Sequence, residues 1–297
     1  MKKNAFTMIE IIIVIIIFGI IASIGANIVA KMYMNYIQSR TINYLQTQSD
    51  ITLEQISKRL QYRIKSSTIA RRGDIIRYLR SNEVDDTFDV VEWIGYSNEA
   101  MLAGNDKPGW SGFVDMDNAV TDKAASTLAT PGSELSRAAD IMNTLSYNRV
   151  NLVGERAALV FKNIKSNDPA AGFGWDGNGG NADYILKVAR NGDEAFTVTG
   201  GMPGSIYEHY YLAHSAYAIV PVNTGNEIDF NLELRYNYQP WLKNTYKNAP
   251  KALLATHVNL FRIRQVGNTI RLKLCLHDNK AGGFGNYIVA CKEEVVL

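Results

Sequence analysis

The hydrophobic pattern divides the chain into three regimes. From Ile11 to Ala30, twenty consecutive residues carry no charge, and only Ser23 and Asn27 among them are clearly polar. A helix of that length crosses a hydrocarbon core. The ten isoleucines of the run are poor helix formers in water. In lipid a single span must satisfy its own backbone hydrogen bonds, so helix is the viable state. One residue at the start of this stretch is out of character: Glu10, a carboxylate, is expensive in a membrane-length segment and such acids tend to be functional. Lys2 and Lys3 precede it, and the positive-inside rule holds the N-terminus in the cytoplasm and sends everything after Ala30 outward.

The second regime is amphipathic. No Gly or Pro occurs between Ala26 and Arg72, and Met34, Ile37, Leu45, Leu53, Ile56, Leu60 and Ile64 recur along one helical stripe. Gln46, Gln48, Lys58, Arg59 and Gln61 fall on the other faces. The pattern predicts one helix from Phe6 to about Ser66, roughly 90 Å long at ~1.5 Å per residue. Gly73 stops it, with Arg71 and Arg72 as a solvated helix end near the negative pole of the dipole. Its outer half must bury the stripe against the rest of the chain.

The third regime reads as strands and loops. Short strands are predicted at 158–163, 184–189, 195–199, 215–222 and 228–238, separated by Gly, Asn and Asp clusters. The segment 258–276 reads as a hairpin turning near Gly267 and Asn268, with Ile270, Leu272, Leu274 and Leu276 on one apolar face. One helix, 133–145, interrupts the series, with Ser133 as its cap and Leu135, Ala138, Met142 and Leu145 on one side. The expected fold class is α+β, a long N-terminal helix packed on an antiparallel sheet.

Composition changes this picture little. With 297 residues, 46% hydrophobic and 20% charged, most of the chain is expected to fold around a core. Net charge is +2; without Lys2 and Lys3 the basic residues would fall to 29, equal to the 29 acidic ones. That balance gives no electrostatic reason to expect a nucleic-acid partner.

The residues KKNAFTMIEIIIVIIIFG resemble the N-terminus of type IV pilins and type II secretion pseudopilins. Precursors of that family carry a short basic leader, a small residue before a cut, a Phe at the new N-terminus and a Glu four residues later. Here those are Lys2 and Lys3, Ala5, Phe6 and Glu10, with Ala5 standing where the family strongly prefers Gly. The resemblance covers about the first 25 residues, and a plain signal peptide cut near Ser23-x-Gly25 leaves Glu10 unexplained. It implies cleavage between Ala5 and Phe6 by a prepilin peptidase, N-methylation of Phe6, and pairing of the new amine with Glu10 of a neighbouring subunit. It divides the chain into a leader (1–5), a transmembrane assembly helix (6–30), an amphipathic continuation (31–72) and an extracytoplasmic head (73–297). Its expected partners are other pilin or pseudopilin subunits, the peptidase and the bacterial inner membrane. The large segment from Gly73 to Val150 makes a bulky head of the kind that suits low-copy subunits near a fibre tip. The layout is similar to J-type pseudopilins and W-type minor pilins, and secretion pseudopilus, type IV pilus and DNA-uptake fibre all remain open.

Chemistry-bearing residues elsewhere are sparse. An extracytoplasmic head meets oxidising conditions, so a Cys275–Cys291 bridge is expected, with two separate buried thiols as the alternative. Pseudopilins can bind calcium, which makes Asp176, Asn178, Asn181 and Asp183 in the Gly-rich loop 172–180 and just beyond it weak ligand candidates. The EF-hand spacing fails there, and a flexible loop is the expectation. The second Gly-rich run, 282–285, does not open a helix after a strand, so neither run reads as a phosphate cradle. His209, His214, His257 and His277 show no metal-ligand spacing, and no catalytic motif or cofactor site appears. A structural subunit is therefore expected in place of an enzyme. The rival reading is a membrane-anchored adhesin whose aromatics Trp110, Trp175, Tyr210, Tyr211 and Trp241 line a ligand site.

Overall fold

The computed structural model describes residues 7–102, 106–154, 156–226, 229–278 and 288–297. Lys2, Lys3, Ala5, Phe6, Ile228 and the glycines of 282–285 lie outside the described residues.

The N-terminal helix α1 runs Met8–Gln61. It ends earlier than the apolar stripe predicts, and the cause is tertiary. Tyr62 accepts a backbone hydrogen bond from Tyr96 and Ile64 donates one to Ile94, so the chain leaves the helix to pair with a strand. A short 3₁₀ turn, Lys65–Ser67, leads into β1 (Ile69–Arg72), and Gly73, at φ +57°, turns β1 into β2 (Ile75–Tyr78). Arg71 is thus in a strand and buried, not at a solvated helix end.

The strands β3 (Val90–Tyr96), β4 (Thr127–Ala129), β5 (Ala157–Phe161), β6 (Leu186–Arg190), β7 (Ala195–Thr199), β8 (Tyr210–Asn226), β9 (Asp229–Tyr238), β10 (Lys251–Val266), β11 (Thr269–His277) and β12 (Val289–Val296) complete one antiparallel sheet. Its order is β12-β11-β10-β9-β8-β5-β6-β7-β4, with β3 and then β1 and β2 branching from β8. The long β8 makes the fork: one edge pairs with β3 through Ala213–Ile219, while the other pairs with β5 through Tyr210–Ala213 and then with β9 from Ala216 onward. Two helices flank the β4–β7 end, α2 (Asn98–Leu102) and α3 (Leu135–Leu145). This is the α+β, pilin-like arrangement that the sequence pattern leads one to expect.

Two details of α3 differ from the sequence reading. The helix begins after Glu134, and Ser133 instead accepts a hydrogen bond from the Ser111 backbone. A distant acid takes over the capping, since Asp193 Oδ1 accepts from the Ser136 backbone at 2.8 Å. Leu145 is exposed at the last turn, while Leu135, Ala138 and Met142 are buried as expected.

The β10–β11 hairpin behaves as its alternation predicts. Val266 pairs with Thr269 across Gly267, whose φ of +61° at the first turn position suits a type II′ turn. Ile270, Leu272, Leu274 and Leu276 are all at most 2% exposed and form the floor on which α1 rests.

The loop 172–185 is packed, contrary to its glycine content. Phe173 and Trp175 are buried, the Trp175 ring N–H donates to Ser67 O, and Gly180 sits where a Cβ would come within 2.1 Å of Ile185. Glycine here permits close approach.

Candidate functional site

Only part of α1 is held by the head. Leu45, Ser49, Thr52, Leu53, Ile56 and Leu60 are buried, mainly against β11 and β12. Burying each large aliphatic among them contributes about 1.5–3 kcal/mol. Polar ties fix the register. Thr52 Oγ1 donates to Leu254 O at 3.2 Å, and Asp50 pairs with Lys292 of β12. Arg63, just past the helix, donates to the carbonyls of Leu60, Leu297 and Asn268, clamping the helix end to the β10–β11 turn and the last residue.

From Met8 to Arg40, every residue of α1 is exposed. This projecting arm is about 50 Å long at 1.5 Å per residue. Met34 and Ile37, placed on the buried stripe by their spacing, are 43% and 37% exposed because the head begins to cover the helix only near residue 41. The arm contains the most apolar window of the helix, with mean hydropathy 2.8 and no buried residue. Immediately after it come Lys31, Tyr33 and Tyr36, the residue types that sit at the headgroup level of a bilayer. One apolar N-terminal helix, bare on all sides, is what a single-pass membrane anchor requires.

Glu10 sits at the tip of this arm. Thr7 is the N-cap, and both its backbone N–H and its hydroxyl lie 3.4 Å from Glu10 Oε2 as donors. The carboxylate therefore folds back over the first turn, where the orphan N–H groups and the helix dipole favour negative charge. It points at the backbone one residue from Phe6.

Residues 1–26 match the family model described as the prokaryotic N-terminal methylation motif. The N-terminus is of the prepilin type. This is the motif of type IV pilins and pseudopilins, a family whose members are processed by prepilin peptidase and assemble with other pilins. No curated protein and no solved structure matches the chain.

Cys275 and Cys291 face each other across β11 and β12 and form a disulfide, with Cα atoms 4.0 Å apart. The calcium-ligand candidates make hydrogen bonds to protein groups within the loop and to Gly204 beyond it. Asp176 accepts from the backbone and side chain of Asn178, Asn181 from the Asp183 backbone, and Asp183 from the Gly204 backbone. Trp110, Trp175, Tyr210 and Trp241 are at most 2% exposed, so the aromatics assigned to an adhesin surface are core residues, with only Tyr211 partly accessible. His214 is buried with Nδ1 2.9 Å from Ser97 Oγ, and burial pushes its pKa down to about 4.

One constellation escapes the sequence reading. Asp229, His257 and His277 come from β9, β10 and β11, and their ligand-type atoms lie within 4.8 Å of one another. No local spacing announces it, because the three residues are far apart along the chain and meet only through strand pairing.

Proposed function

We propose that this chain is a minor pilin or pseudopilin subunit of a type II secretion or type IV pilus system, with a J-type or W-type head. The observation that carries the reading is the bare apolar arm of α1, capped by Glu10 and projecting from a folded head, in a chain whose first residues match the methylation motif. Prepilin peptidase cuts between Ala5 and Phe6 on the cytoplasmic side, and Phe6 becomes the methylated N-terminus. Cleavage removes Lys2 and Lys3 and leaves an amine at Phe6, beside the Thr7 N–H that already faces Glu10. A neighbouring subunit's Glu10 supplies the complementary charge, and an unpaired buried charge costs several kcal/mol, so this pairing favours one docking register. Helix association in lipid lacks a hydrophobic drive, which leaves such polar contacts to set specificity. The head stands in the periplasm or on an extracytoplasmic fibre, where its disulfide is stable.

Glu10→Ala tests the assignment. Insertion into the membrane should persist, because removing an acid from an apolar span favours insertion, while incorporation into the fibre should be lost in a pull-down of assembled fibres. Unchanged incorporation would overturn the role given to Glu10.

A further inference from the structure

We propose that Asp229, His257 and His277 form a binding site for a divalent transition-metal ion, with zinc the best match. His277 ends β11 and is only 3% exposed, Asp229 opens β9, and His257 lies in β10 immediately before Val258, the cross-strand partner of Leu276. The two imidazoles approach the two oxygens of one carboxylate: His257 Nδ1 is 3.2 Å from Asp229 Oδ2, and His277 Nε2 is 3.4 Å from Asp229 Oδ1. Bonds of about 2.0–2.1 Å to a tetrahedral zinc place ligand atoms roughly 3.3 Å apart, and each imidazole nitrogen stands about that far from one of the two carboxylate oxygens, so an ion seated among the three groups is within reach of both rings and of the carboxylate. The two rings stand edge to face with centroids 5.5 Å apart, and the ligand-type atoms of all three residues lie within 4.8 Å of one another.

The backbone at His257 adds a second, independent observation. Its φ is +54°, in the left-handed region, between two shifts of strand register that flank it in β10. Such a bulge re-aims a side chain, and a non-glycine residue held there points from strain toward function.

The donor set selects the ion class. Two imidazole nitrogens and one carboxylate oxygen suit zinc, copper or nickel, whereas calcium and magnesium favour oxygen-only shells. The His257 side chain is 42% exposed, so one side of the site is open and a water can complete four-coordination. The ion would tie three neighbouring strands at one end of the head. This inference does not depend on the assembly role proposed for α1.

The test uses the full chain in detergent micelles, stripped with a chelator, desalted and titrated with zinc chloride by calorimetry. Wild type is expected to bind one zinc per chain. Asp229→Asn and His257→Asn should each weaken binding by at least about tenfold, and asparagine at 257 tolerates the left-handed backbone. His209→Ala, altering an exposed histidine on another part of the head, should bind like wild type. Cobalt should give wild type the visible absorption of a four-coordinate nitrogen and oxygen site and leave both variants pale. A wild type that binds no zinc would show a purely hydrogen-bonded triad and overturn the proposal, as would variants that bind as tightly as wild type.

Discussion

Arg71 offers the sharpest test of how the head is built where the chain leaves α1. Its side chain is 9% exposed and that of its partner Glu92 only 1%. Arg71 Nε donates to Glu92 Oε1 at 2.8 Å, Nη2 donates to Trp175 O at 2.8 Å, and the Tyr238 hydroxyl donates to Glu92 Oε2 at 2.8 Å. The group therefore joins β1, β3, the packed loop and the end of β9. Arg71→Met keeps the aliphatic stem but leaves Glu92 with a buried charge and one hydrogen bond. Removing one partner of a buried pair costs about 3–5 kcal/mol, mostly as the penalty on the partner left behind. Burial pushes the Glu92 carboxyl above the usual carboxylate range, against the pull of Arg71 and the Tyr238 hydroxyl, and losing Arg71 pushes it further. A folded-state carboxyl pKa raised above its unfolded value means that the folded state holds the extra proton, so stability rises as pH falls through the folded pKa. The variant's deficit relative to wild type should therefore be largest near neutral pH and shrink on acidification, by up to about 1.4 kcal/mol for each unit of extra shift. Denaturant unfolding of the full chain in micelles, followed by fluorescence of the four tryptophans, measures it, since all four are buried in the head. Arg71→Met/Glu92→Leu, which removes the stranded charge, should recover at least half the loss. A deficit below about 1 kcal/mol, or one constant with pH, would refute the reasoning.

His214 and the disulfide give simpler tests. With its folded pKa at about 4 against 6.5 unfolded, His214 adds stability that is complete above 6.5 and lost as pH falls toward 4. The loss should reach roughly 3 kcal/mol, and His214→Asn should remove that part of the acid slope. Replacing Cys275 and Cys291 together with serine opens a loop with a sequence separation of 16 and should cost about 3 kcal/mol in the unfolding assay; an unchanged midpoint would deny the bridge a stabilising role.

The N-terminal half of the account was legible in the sequence because its signals are linear. A membrane-length apolar run, an acid four residues after a small-Phe pair and a 3.6-residue stripe need no tertiary information to be read. The boundary at Gln61 was not legible, because residues 62–64 have no local reason to leave the helix. Their exit is set by hydrogen bonds to Ile94 and Tyr96, a strand some thirty residues on. That strand was itself invisible: β3 is buried on both faces, so VVEWIGY shows no alternation, and Glu92 interrupts its apolar run although it pairs with Arg71 inside. Met34 and Ile37 show the opposite failure. Their periodicity is that of a buried face, but the head does not reach them. Asp229, His257 and His277 lie at the limit of such reading, since strand register alone brings them together.

Mass spectrometry of the mature N-terminus tests the central claim most directly. The account predicts a chain that begins at Phe6 with one added methyl on its amine, Lys2 and Lys3 gone and Glu10 retained. A chain that still begins at Met1, or one that begins near Ala26 after signal-peptide cleavage, would contradict it.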